Sequence, residues 1–123
     1  ISAYSNKVAL MSETKKISAT LIDFVSPMLT ELGSTASKPA FESILRTGAL
    51  VWNACVMDHL RKTTAHEIEL ISHTNNQFEA ALIQKLFDRK KSHFAEDLRG
   101  ITGECVEIRN GNLVVKAEAR HLT

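Results

Sequence analysis

The stretch PAFESILRTGALVWNACVMDHL, residues 39–60, decides how the chain is read. At about 100° per residue, Phe41, Ile44, Leu45, Gly48, Trp52, Cys55, Val56 and His59 share one face. The opposite side starts polar with Glu42, Ser43 and Arg46, then carries Leu50, Ala54 and Met57. A helix that is apolar on both sides in its second half belongs at the centre of a domain or in an oligomer contact. Ser37 stands where an N-cap belongs, and Pro39 fits the first turn.

Upstream, Ile17, Leu21, Phe24, Val25, Met28 and Leu32 fall within about 100° of one another, so Glu13 to Leu32 reads as an amphipathic helix. Pro27 lies on its polar side, which predicts a kink there, and Gly33 is placed to end it. Downstream, Thr64 and Glu67 have capping-box spacing and open a short helix to about Ser72. Thr74 and Gln77 repeat that spacing before a further helix, with Phe78, Leu82 and Leu86 as its buried stripe and an end near Lys91.

The period then changes. Asn110-Gly111 between Ile101–Arg109 and Leu113–Arg120 predicts a hairpin with a two-residue type I′ turn. That turn pairs Arg109 with Asn112, Ile108 with Leu113 and Val106 with Val115. Glu107, Lys116 and Glu118 take the other face. The expected architecture is α+β: three to four helices around the long 39–60 helix, with a C-terminal antiparallel β-hairpin.

The 123 residues amount to one domain, expected over 13–123. Residues 1–12 are expected to stand outside it, disordered or an addition upstream of Met11. Lys plus Arg is 15 and Asp plus Glu 14, a net charge of +1, which argues against a surface built to hold nucleic acid. Nothing approaches the roughly 20 apolar residues of a membrane span. Cys55 and Cys105, fifty positions apart, read as free thiols of a cytoplasmic protein.

Candidate chemistry is sparse. Trp52 and His59 on the apolar face are the candidates for ligand binding, with His59 expected in the core. His66, Glu69 and His73 fall within about 60° on one helix flank. Imidazole and carboxylate there would suit zinc or iron, although the spacing matches no established metal motif. Arg89, Lys90 and Lys91 form a positive run suited to a helix C-terminus, with an anion or a nucleic-acid strand as the alternative partner. Ser92, His93 and Asp97 have the residue types of a hydrolytic triad but nothing in their spacing fixes its geometry. Cys105 falls opposite Lys116, and a nearby cation activates a thiol.

Val51-Trp52-Asn53-Ala54, the block from Arg89-Lys90-Lys91 through Phe94 to Asp97 and Arg99, and the closing Gly111–Ala119 strand resemble small uncharacterised bacterial proteins of the kind also carried on mobile gene cassettes. The resemblance runs from Pro39 onward and implies no activity. It implies that the basic-acidic block is a shared feature, an ion-pair joint between the last helix and the hairpin.

With no convergent catalytic set, the expected function is a non-enzymatic, self-associating binding or adaptor protein. It is expected to be a homodimer through the long helix or the hairpin edge, open to a protein partner, with no cofactor. The alternatives are a metal-binding protein or metal-dependent enzyme on His66, Glu69 and His73, and a weak nucleic-acid module on Arg89, Lys90 and Lys91.

Overall fold

The computed structural model describes residues 16–32, 37–110 and 112–121. Helices α1 (Ile17–Leu32), α2 (Lys38–Arg61), α3 (Ala65–Ser72) and α4 (Gln77–His93) precede strands β1 (Arg99–Arg109) and β2 (Asn112–His121). This is an α+β fold, with the strands forming one antiparallel pair. The expectations for residues 1–12 and for Gly33 lie outside the described residues.

α1 runs as one helix through Pro27, which is exposed. Proline has no N–H, so the Asp23 carbonyl four residues back loses its helical donor. Arg89 of α4 supplies the replacement: its Nη2 donates to that carbonyl at 3.0 Å, and its Nε donates to the Phe24 carbonyl at 3.1 Å. Ser37 caps α2 as its sequence position predicts, accepting from the Ala40 N–H at 3.3 Å. Gly48 lets α1 and α2 meet closely, since a Cβ there would come within 2.3 Å of Val25 Cγ1.

Leu21, Phe24 and Val25 of α1, Leu45, Val51, Trp52 and Val56 of α2, and Ile83, Leu86 and Phe87 of α4 form one buried core with Ile101 and Val106 of β1. The buried stripe of α4 is therefore shifted from the expected one. Phe78, in the first turn, is 71% exposed because that turn extends beyond the core.

The hairpin register is the one the Asn-Gly turn dictates, with Arg109 opposite Asn112, Ile108 opposite Leu113 and Val106 opposite Val115. Asn110 takes φ 53°, the left-handed conformation that a type I′ turn requires. β1 starts at Arg99, two residues before its expected start. A bulge between Ile101 and Gly103 offsets the alternation, so odd-numbered Ile101 and even-numbered Val106 both reach the core. Two α2 side chains hold the start of this strand. Trp52 Nε1 donates to the Arg99 carbonyl at 2.7 Å, and the Asn53 amide donates to the Ile101 carbonyl at 2.9 Å and accepts its N–H at 2.7 Å. Asn53 thus closes that end of the strand edge.

Candidate functional site

The corner between α2 and α3 is built on Asp58. Lys62 turns the chain in the left-handed region, and its N–H meets the Asp58 and His59 carbonyls. The chain doubles back, so α3 begins beside the last turn of α2. Asp58, only 7% exposed, accepts from the N–H groups of His66 and Glu67, both at 3.0 Å, and pairs with His66 Nδ1 at 2.7 Å. A carboxylate at a helix N-terminus satisfies unpaired donors and meets the positive end of the helix dipole. Burial pushes the Asp58 carboxyl up, but the two backbone donors and the His66 ring outweigh it and hold it below the usual carboxylate range. Thr64 makes no side-chain cap bond, so the expected Thr64–Glu67 capping box is replaced by a cap from the preceding helix.

His59 corrects the expectation of a core histidine, for it is exposed. It shares Trp52's helical face, but that face extends one turn past the core there and opens onto a cavity. This cavity of about 260 Å³ lies between the end of α2, the start of α3 and the end of α4. Cys55, Asp58, His59, Glu67, Lys90 and Lys91 contribute to its lining. Trp52, by contrast, is fully buried and meets Phe24 edge-on at a ring distance of 5.3 Å. Trp52 and His59 therefore do not form one ligand face.

The positive run divides three ways. Arg89 binds α1, where it also pairs with Asp23. Lys90, 2% exposed, donates from Nζ to the carbonyls of Phe94 at 2.6 Å and Asp97 at 2.8 Å, and lies 4.4 Å from the Trp52 ring centre. Burial pulls its ammonium below the ordinary lysine range, against the opposing pull of Cys55 and Asp97. Lys91 pairs with Glu67 at 2.6 Å, and that hydrogen bond raises its ammonium above the usual range. Asp97 in turn holds Arg99 through both carboxylate oxygens. Asp97 and Lys90 thus join the end of α4 to the start of β1.

On the other side of α3, an open groove of about 370 Å³ carries Leu50, Ala54, Met57 and Leu70. His66, Glu69 and His73 line the same groove, as their common flank predicts. Their available atoms are partly committed: His66 Nδ1 to Asp58, and His73 Nδ1 to the Glu69 carbonyl at 2.8 Å. Among the described residues no group of three or more His, Cys, Asp or Glu side chains is placed to hold a metal ion. Ser92 Oγ donates to the Asp88 carbonyl at 2.8 Å, within its own helix. Cys105 is exposed opposite Lys116, whose Nζ pairs with Glu107 at 3.2 Å.

Among the described residues no helix is long and apolar enough to cross a membrane. Comparison with protein families, with curated proteins and with solved structures finds no match in any of the three.

Proposed function

We propose that this protein is a non-enzymatic binding protein that self-associates, with the α2–α3 groove as the contact between two copies. The observation that carries this reading is Leu50. It stands 55% exposed at the groove, next to Ala54, Met57 and Leu70, on the side of α2 turned away from the core. An apolar row of this kind gains free energy when covered, and a two-fold contact covers the same row on both partners at once. Catalysis has less support. The polar groups of the corner are engaged in capping and pairing, with Asp58 on α3, Glu67 on Lys91 and Asp97 on Arg99.

The experiment is light scattering on the full chain at tens of micromolar, alongside Leu50→Asp and the double variant with Met57→Asp. A homodimer that becomes monomeric in the variants, with unchanged circular dichroism, is the expected result. A monomeric parent protein overturns the reading, as does a dimer indifferent to both substitutions.

A further inference from the structure

We propose that the cavity between the end of α2, the start of α3 and the end of α4 binds a small organic carboxylate, its charge on Lys90 and its apolar body against Cys55 and Ala95. The argument starts from an uneven supply of hydrogen bonds. Lys90 is almost wholly buried, yet no carboxylate is hydrogen-bonded to it among the described residues. An ammonium has three N–H donors. Two go to the Phe94 and Asp97 carbonyls; the ammonium also faces the Trp52 ring at 4.4 Å, and it makes no third hydrogen bond to protein among the described residues.

The nearby carboxylates are occupied elsewhere. Asp58 takes the first N–H groups of α3, Glu67 takes Lys91 and Gln84, and Asp97 takes Arg99. Donors remain in the lining beside Lys90: the Thr63 hydroxyl, whose oxygen accepts from the Ala65 N–H, the Thr64 hydroxyl, which makes no cap bond, and the exposed His59 ring. Spare donors around a buried cation select an acceptor that carries negative charge. The Cys55 thiol and the Ala95 methyl supply apolar wall. A volume of about 260 Å³ lies below the range of drug-sized sites, which restricts the occupant to a small molecule. The lowered Lys90 ammonium agrees with this, since burial depresses it by more than Cys55 and Asp97 raise it.

The two cysteines provide the assay. Cys55 lines the cavity and is buried, which pushes its thiol up and slows its alkylation, while Cys105 is exposed on the hairpin and serves as the internal control. Alkylation of the full chain by iodoacetamide is followed at both thiols by mass spectrometry, with hexanoate, its neutral isostere hexanamide, or inorganic phosphate at matched ionic strength. Hexanoate is expected to slow Cys55 by 1 + [L]/Kd, about tenfold at ten times Kd, and to leave Cys105 unchanged. Lys90→Met is expected to abolish that protection. Equal protection by hexanamide overturns the role of charge, and equal protection by phosphate overturns that of the apolar body. No protection by hexanoate in the parent protein or, where Cys55 itself does not react, no heat of hexanoate binding by titration calorimetry overturns the proposal without recourse to a variant.

Discussion

The starts of α3 and α4 solve one problem in two ways. Each leaves its first N–H groups without helical partners. At α4 the solution is local: Asn76 accepts from the Glu79 N–H at 2.7 Å, and Glu79 accepts from the Asn75 N–H at 3.1 Å. At α3 it comes from the preceding helix, through the buried carboxylate of Asp58. The local cap rests on the neutral Asn76 amide with Glu79 reaching back, and it is exposed and confined to its own helix end. The remote cap is charged and buried, and it fixes the angle at which α3 leaves α2. One holds a helix end; the other holds a joint.

The strongest way to break this contrast is Asp58→Ala, which strands two backbone donors and the His66 ring. It is expected to cost about 2 to 3 kcal/mol in urea unfolding. The charge adds a pH signature. Because the folded carboxyl titrates below its ordinary value of 3.8, its stabilisation is complete above that range and is lost as pH falls through the lower, folded value. Asp58→Ala should therefore show a shallower acid decline than the parent protein; an unchanged acid limb would exclude Asp58 as the source.

A second remote repair sharpens the comparison. Arg89→Met leaves the Asp23 carbonyl that Pro27 orphaned, with an expected loss of about 1.5 kcal/mol. Pro27→Ala restores a helical N–H to that carbonyl, so the loss from Arg89→Met should shrink in that background. Additive effects in the double-mutant cycle would show that Arg89 does not compensate for the proline. The smallest effects belong to local positions. Asn76→Ala should cost about 1 kcal/mol, whereas Thr64→Ala, where the spacing predicts a cap and none forms, should stay within about 0.5 kcal/mol. Equal losses at the two positions would erase the distinction.

The same division separates what the sequence reveals from what it conceals. Interactions set within a few residues are legible, including the Ser37 cap, the hairpin register and the common flank of His66, Glu69 and His73. The α4 cap falls on Asn76 and Glu79, two residues after the predicted Thr74 and Gln77. The competing signal was present, since Asn is at least as good an N-cap as Thr and Glu79 follows three residues later. Helical periodicity assigns His59 correctly to the face of Trp52, but it carries no information about where the core ends along that face. The burial of Asp58 and Lys90 depends on partners from other elements, eight or more positions away in the case of Asp58. Only Pro27 announced a remote need, because a proline beyond the first turn of a helix orphans a carbonyl.

Trp52 is the only tryptophan in the chain. Its ring meets Phe24 of α1 and Phe94 beyond α4, its N–H reaches β1, and an ammonium lies over its face. Its fluorescence is thus a single optical channel into which the attachment of three elements to α2 is multiplexed. Detachment of any one of them changes the polarity, packing or field at the same chromophore, so the emission spectrum reports the assembly of those elements around α2.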